Sequence, residues 1–177
     1  MPAREDAASF VNVSVTPAVG ATYRYRSVLP VGWIKQGDLP NPERVASADR
    51  FSALGVFSPA LRMIPPVIVS FGAILAPQKA PVSIYFERYC QYQGYSILAM
   101  EPRRFFAGMV LDGLVTQEAP GWGSLLIRVA MFEDGGRLFA LAGMAPAAVY
   151  ERFVRPFSLA MRTFELQWPR GPTVPLV

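Results

Sequence analysis

The chain has 177 residues, a formal net charge of +4 at pH 7, and a composition that is 52% hydrophobic and 17% charged. This length fits one domain, and this apolar fraction supplies a sizeable core, which excludes disorder for most of the chain. The basic residues are arginines except for Lys35 and Lys79, and their spread along the chain argues against an electrostatic surface for nucleic acid.

The N-terminal third predicts strands joined by loops. Residues 1–20 are typical of a loosely held arm, in which alternating valines favour a short edge strand. Apolar or alternating runs then predict four strands, at Tyr23–Leu29, Trp33–Lys35, Phe51–Phe57 and Val67–Ala76. The last run is apolar at successive positions, as in a strand that is covered on both faces.

The middle of the chain predicts a helix followed by strands. An apolar stripe formed by Val82, Tyr85, Phe86, Tyr89 and Cys90 indicates a helix that begins after Pro81 and ends at Gly94. Strands are expected at Tyr95–Glu101 and at Arg104–Gln117, with bends or bulges at Pro102, Gly108 and Gly113.

The C-terminal third predicts a hairpin, a helix and a closing strand. Ser124–Phe132 and Arg137–Met144 are strand-length apolar runs, and Glu133–Gly136 has the residues of a tight turn. Pro146 suits the first turn of a helix. The helix follows from a stripe at Val149, Phe153, Phe157, Ala160, Met161 and Phe164, and Pro156 within it predicts a kink or two abutting helical segments.

These elements predict an α+β protein with a mostly antiparallel sheet sandwiched by two amphipathic helices. We expect a single domain over residues 21–167, preceded by the arm at 1–20 and followed by a proline-rich tail at 168–177. The first 15 residues are polar and lack the pattern of a secretory signal. The longest apolar run, Ile64–Ala76, is interrupted and too short for a membrane-spanning helix. We therefore expect a cytoplasmic protein.

The sequence contains few of the side chains that usually carry out catalysis. Histidine is absent, which excludes Ser-His-Asp and Cys-His sites and the usual zinc sites. Cys90 lies on the apolar stripe of the first helix, so it is expected in the core rather than at a reactive site. An enzyme that uses carboxylates alone remains as an alternative, with candidates at Glu101, Asp112, Glu118, Glu133 and Asp134. No phosphate-binding loop or calcium-loop spacing occurs, so no cofactor or metal is expected.

Two stretches interleave aromatic and basic residues, namely Tyr23–Arg26 and Arg103–Phe106. Such stretches can stack nucleic-acid bases. The interpretation that we favour is that the rings point into the core while the arginines face solvent, because simple alternation along a strand produces that arrangement.

The strands carry more apolar residues than one buried face needs. Either both faces of the sheet are covered, or one face is a docking surface for a partner. The candidate contacts for such a partner are Arg103, Phe105, Phe106 and Met109.

Several short motifs resemble those of the PsbP-like superfamily, which includes the Ran-binding nuclear import factor and the bacterial DcrB-like proteins. The motifs are Leu29–Trp33, the charged hairpin with its two glycines, Leu138–Leu141, Ala145-Pro146 and Thr163–Leu166. The resemblance implies an α/β/α sandwich and a largely non-catalytic binding role. Members include photosystem extrinsic subunits, a small-GTPase regulator, lipoproteins and chaperones of type VI secretion effectors. No binding residue of the family can be carried over, and the lipidation signal of the lipoproteins is missing.

The hypothesis that follows is a non-enzymatic protein-binding module, such as an adaptor, chaperone or assembly subunit of a larger bacterial complex, for example a secretion system. Its partner would be another protein or a multiprotein complex. The alternative is a carrier of a small molecule or lipid, which would be held in an apolar pocket between the sheet and the last helix.

Overall fold

The computed structural model describes residues 9–17, 23–36, 51–61, 63, 66–75 and 79–167. The strands are β1 (Phe10–Val15), β2 (Tyr25–Pro30), β3 (Trp33–Lys35), β4 (Ser52–Pro59), β5 (Ile68–Leu75), β6 (Ser96–Phe105), β7 (Gly108–Ala119), β8 (Gly123–Asp134), β9 (Arg137–Pro146) and β10 (Glu165–Leu166). The helices are α1 (Val82–Gln93) and α2 (Val154–Arg162), and a 3₁₀ turn at Tyr150–Phe153 leads into α2. The predicted tail at 168–177 lies outside the described residues.

The strands form two antiparallel sheets. The larger has seven strands in the order β3-β4-β5-β9-β8-β7-β6, and the smaller has three in the order β1-β2-β10. Part of the predicted arm, Phe10–Val15, is therefore paired with β2. The α+β class and the mostly antiparallel sheet are as predicted.

The central strands of the large sheet are buried on both faces. On one face of β8, Ile127, Val129 and Met131 pack in a cluster with Phe86 and Cys90 of α1. On the other face, Ala130 and Phe132 share a second cluster with α2. Burial by a helix on each side explains the excess of apolar residues in this strand.

The hairpin that joins β8 to β9 has a two-residue turn. Asp134 pairs with Arg137, and Gly135 and Gly136 between them have φ angles of +60° and +76°. Positive φ at both central residues defines the hairpin turn that best fits strand twist, and glycine adopts it without strain. Glu133 and Asp134 belong to β8, so the turn is shorter than the sequence predicted.

The helix after β9 starts later than its sequence pattern indicates. Pro146 ends β9 instead of opening a helix, and Pro156 lies in the first turn of α2, where its missing N–H leaves no helical hydrogen bond unmade. The predicted pair of abutting helical segments is the 3₁₀ turn and α2. The ring of Phe157 lies directly against Gly143, where any side chain would collide with it, and this contact seats α2 on β9.

The path between α1 and β8 differs from the prediction. Phe105 to Leu111 do not lie in one strand, because the chain turns at Phe106-Ala107 and Gly108 follows with a φ angle of +116°. Pro102 does not interrupt β6 but lies within it. A proline is tolerated in an outermost strand, where its nitrogen can face the open edge.

Candidate functional site

The outermost strand β6 forms an open edge of the large sheet. It pairs with β7 on one side, and no described strand pairs with its other side. Nine of its ten residues are exposed, among them the apolar Ile97, Leu98 and Met100. An edge strand presents a row of unpaired backbone N–H and C=O groups, to which another chain can add a strand.

The turn between β6 and β7 presents two large apolar side chains to solvent. In this segment, Phe106–Met109, which we call the hairpin tip, Phe106 is 71% exposed and Met109 is 56% exposed. The backbone N–H of Phe106 donates a 2.9 Å hydrogen bond to the carbonyl of Arg162 at the end of α2. The tip is therefore held in place although its side chains are free.

A cleft of about 750 Å³ lies between the β6–β7–β8 end of the sheet and α2. We call it the arginine cleft, because four arginines line it together with two carboxylates: Arg103, Arg104, Arg128, Arg162, Glu101 and Asp112. The side chain of Arg104 alternates with that of Arg103 along β6 and so lies on the opposite face of the sheet, and the charged side chains on the cleft side therefore carry an excess of one positive charge.

The pair Asp112–Arg128 forms the floor of the arginine cleft. Arg128 Nε donates to Asp112 Oδ1 at 3.0 Å and Arg128 Nη2 donates to Asp112 Oδ2 at 2.8 Å, while Nη1 donates to Ser158 Oγ. Burial opposes the charge of Arg128, but the hydrogen bond and the charge of Asp112 outweigh it, so the pKa of Arg128 is raised. Both groups are fixed by this two-point contact.

The rim of the arginine cleft is more exposed. Arg103 Nε lies 3.2 Å from Asp112 Oδ2 and also donates to Glu101 Oε1 at 3.0 Å. Glu101 and Asp112 face each other across β6 and β7, and Arg103 binds both. Glu101 and Asp112, two of the candidate catalytic carboxylates, are therefore both acceptors in one ion-pair network.

Tyr150 lines the arginine cleft with only 7% of its surface exposed. Its hydroxyl forms no hydrogen bond with any described residue. Burial raises the pKa of this phenol, the charge of Arg128 lowers it by a smaller amount, and Asp112 and Glu151 add to the increase. The phenol is therefore protonated at neutral pH and able to donate a hydrogen bond.

The four residues that were predicted from the sequence to contact a partner differ in their exposure. Arg103, Phe106 and Met109 are exposed at the β6–β7 end of the sheet, where the register places the side chains of Arg103 and Met109 on opposite faces. Phe105 is only 6% exposed and belongs to the core, where the guanidinium of Arg128 lies 5.8 Å from its ring centroid. Its role is to support the arginine cleft from below, so it is not part of the exposed surface.

Sequence reasoning did not single out Arg128, Arg162 or Tyr150. The signal for the first was present, since Arg128 interrupts an apolar strand and Asp112 interrupts the neighbouring one. Opposite charges inside adjacent buried strands indicate an ion pair. Arg162 and Tyr150 become significant only through the packing of α2 on the sheet.

The other residues considered as candidates for catalysis or nucleic-acid binding have structural roles. Cys90 is buried, and burial raises the pKa of its thiol to about 11, so it is protonated at neutral pH. Tyr25 lies in the core and stacks on Phe164, while Arg26 forms an exposed ion pair with Glu165 at 2.5 Å. The favoured interpretation of that stretch, with Tyr25 inward and Arg26 outward, is confirmed.

Within the described ranges, no three His, Cys, Asp or Glu side chains are grouped so that they could hold a metal ion. Among the same residues, no helix is long and apolar enough to cross a membrane.

No protein-family model matches this sequence, and no curated protein is detectably similar to it. The structure, in contrast, is similar to that of cyanobacterial PsbP (CyanoP) from Synechocystis sp. PCC 6803, with a TM-score of 0.57, 13% identity, and coverage of 90% of this chain and 93% of CyanoP. It is also similar to the Ran-binding protein Mog1p of Saccharomyces cerevisiae, with a TM-score of 0.55, 16% identity, and coverage of 89% and 96%.

A third similar structure is LpqN of Mycobacterium tuberculosis, which is involved in cell envelope biogenesis. Its TM-score is 0.55 at 8% identity, with 88% of this chain and 90% of LpqN covered. The protein has the PsbP-like fold, as the sequence motifs indicated. At these identities the similarity establishes the fold and no more.

Proposed function

We propose that this protein is a non-enzymatic protein-binding module, and that it docks its partner at the hairpin tip and along the open edge of β6. The observation that carries the proposal is the exposure of nine residues of a ten-residue edge strand, next to a tip that presents Phe106 and Met109. Exposed apolar side chains that lie together usually mark a site of protein association.

The structure of this region favours a partner that adds a strand. Backbone hydrogen bonds to the β6 edge on the N-terminal side of Pro102, which has no N–H to donate, would provide affinity, and the apolar side chains of Ile97, Leu98 and Met100 would provide contact area. The tip is anchored to α2 through Phe106 and Arg162, so little ordering of the docking surface is needed when a partner binds.

The fold supports a binding role. Mog1p, which shares it, is a Ran-binding protein. The narrower form of the proposal is an adaptor, chaperone or assembly subunit of a bacterial complex such as a secretion system, acting in the cytoplasm. That form rests on the resemblance in the sequence motifs.

The alternative, a carrier of a small molecule or lipid, was expected to hold its ligand in an apolar pocket between the sheet and the last helix. Away from the arginine cleft, aromatic rings pack the space between the sheet and α2, with Phe164 5.0 Å from Phe71 and 6.2 Å from Phe139 between centroids. The one cleft described above is lined by charged residues, which suits an apolar ligand poorly.

The test is the substitution Phe106→Asp, which places a charge at the most exposed apolar side chain of the proposed surface. In the native host, the tagged wild-type protein is expected to capture a stoichiometric protein partner. The variant should capture at least about tenfold less, because a charge that is desolvated in an interface costs on the order of 2 kcal/mol or more. Quantitative mass spectrometry of the eluates measures the ratio.

The matched control is Trp122→Asp, which changes an exposed aromatic residue in the β7–β8 turn at the other end of strand β7. This variant should retain the partner at the wild-type level. Equal capture by wild type and a folded Phe106→Asp protein would refute the docking surface, and so would equal losses in both variants.

A further inference from the structure

The side chain of Met109 carries the most accessible sulfur among the described residues. It is 56% exposed at the end of the hairpin tip, and Met100 follows at 37%. Met131 and Met161 have no exposed surface. Cys90 is buried, and burial raises the pKa of its thiol to about 11, so this sulfur is neither accessible nor ionised at neutral pH. An oxidant dissolved in water therefore meets Met109 first.

Arg104 lies directly opposite Met109 in the β6–β7 ladder, so the two side chains stand on the same face of the sheet. Directly opposite residues of an antiparallel pair have Cβ atoms about 4.5–5.5 Å apart, which is close enough for two long side chains to touch. Arg104 is exposed, and its side chain forms no ion pair or hydrogen bond with any described residue. Its N–H groups are therefore available to an acceptor that arises on Met109.

Met109 ends an apolar row on the α1 face of the sheet. Leu111, two residues further along β7, lies on the same face and packs against the cluster that contains Phe86 of α1. Phe106 lies at the other end of the hairpin tip. Met109 thus belongs to the apolar part of the proposed docking surface, and a change in its polarity changes that surface.

We propose that Met109 is a site of reversible oxidation by hydrogen peroxide, and that its sulfoxide, held by Arg104, prevents the partner from docking at the hairpin tip. The proposal deepens the proposed function and rests on it. A lone pair of the thioether sulfur attacks one peroxide oxygen, the O–O bond breaks, and an S–O bond forms. The second oxygen leaves with both hydrogens as water, so the sulfur is oxidised by two electrons and the peroxide is reduced.

The sulfoxide makes an apolar side chain polar and gives it an acceptor oxygen. The guanidinium of Arg104 donates a charge-assisted hydrogen bond to that oxygen. A partner that docks on the tip must then bury this polar pair or separate it, and both cost binding free energy. The free protein is the form that reacts, because a bound partner covers Met109. Methionine sulfoxide reductases restore the thioether at the expense of a thiol.

The first test follows the chemistry at each methionine. The wild-type protein is treated with dilute hydrogen peroxide, and peptide mass spectrometry measures the gain of one oxygen atom at each residue over time. We expect Met109 to react at least about tenfold faster than Met131 and Met161, which the fold shields. Equal rates at Met109 and Met131 in the folded protein would overturn the proposal.

A second measurement reports on the contact with Arg104. In proton–nitrogen correlation spectra, the Nε–H resonance of Arg104 should shift when the wild-type protein is oxidised. It should stay in place in Met109→Leu, which keeps the apolar volume but has no oxidisable sulfur. A resonance that does not respond in the oxidised wild-type protein would overturn the role of Arg104 in holding the sulfoxide.

Capture of the partner from extracts of the native host links oxidation to docking. Protein that is oxidised beforehand and freed of peroxide should capture at least about fivefold less partner than reduced protein, and treatment with sulfoxide reductases and a thiol should restore capture. Met109→Leu should capture the partner equally well before and after peroxide treatment. The matched control Met100→Leu should lose capture on oxidation as the wild-type protein does. A comparable loss in oxidised Met109→Leu would overturn the proposal.

The two proposals fail separately. If Phe106→Asp abolishes capture while the oxidised wild-type protein captures the partner at the full level, the oxidation proposal fails and the docking surface stands. If reduced Phe106→Asp captures the partner as well as the wild-type protein does, the docking surface fails and the oxidation proposal fails with it.

Discussion

Replacing Phe164 by alanine is expected to lower the free energy of unfolding by about 3–5 kcal/mol, the usual range for a buried phenylalanine in a packed core. Phe164 has no exposed surface, and its ring contacts those of Tyr25, Phe71, Phe132 and Phe139 at centroid distances of 5.0–6.2 Å. Removing it opens a cavity where β2, α2 and the large sheet meet. Denaturant unfolding measures the change, and thermal unfolding should show a Tm lower by roughly 10 °C.

Phe106→Ala is the matched control, because it removes the same side chain from an exposed position. Its free energy of unfolding should change by less than about 0.5 kcal/mol. Two large losses would contradict the exposure of Phe106, and two small losses would contradict the packing of Phe164 in the core.

Asp112→Ala is the second substitution with a large expected effect, a loss of about 3 kcal/mol in the free energy of unfolding. The carboxylate makes a two-point contact with Arg128, which is mostly buried and would be left without a counter-charge. Adding Arg128→Met to this variant should restore part of the loss, because the unpaired charge is then removed as well.

Glu101→Gln is the control for Asp112→Ala. Glu101 belongs to the same ion-pair network but is exposed, so its loss should change the free energy of unfolding by less than about 1 kcal/mol. If Asp112→Ala lowers the free energy of unfolding no more than Glu101→Gln does, the Asp112–Arg128 pair does not stabilise the floor of the arginine cleft.

The helices and turns that could be predicted from the sequence are those set by residues close together in the chain. The stripes of α1 and α2 follow from helical periodicity, and Gly135-Gly136 marks the β8–β9 turn because positive φ is needed there. A bend was expected at Gly108, beside the β6–β7 turn, but the strand was started at Arg104 because Phe106-Ala107 has no residue typical of a turn and Pro102 resembles a break.

The proposed docking surface could not be predicted from the periodicity of apolar residues in the sequence. Phe105 and Phe106 are neighbours of the same type, yet one is buried and the other exposed, because the strand ends between them. The exposure of β6 follows from the order of strands in the sheet, which places it at an edge. The arginine cleft needs α2 to be seated on the sheet, which brings Arg162 and Tyr150 to β6 and β8.

If a partner docks at the hairpin tip and the β6 edge, site-specific photo-crosslinking in the native host should capture it there. A photoreactive phenylalanine analogue is placed at position 106 in one protein and at position 122 in another. We expect a discrete protein adduct from position 106 that is absent from position 122. The same adducts from both positions, or an adduct from position 122 alone, would contradict it.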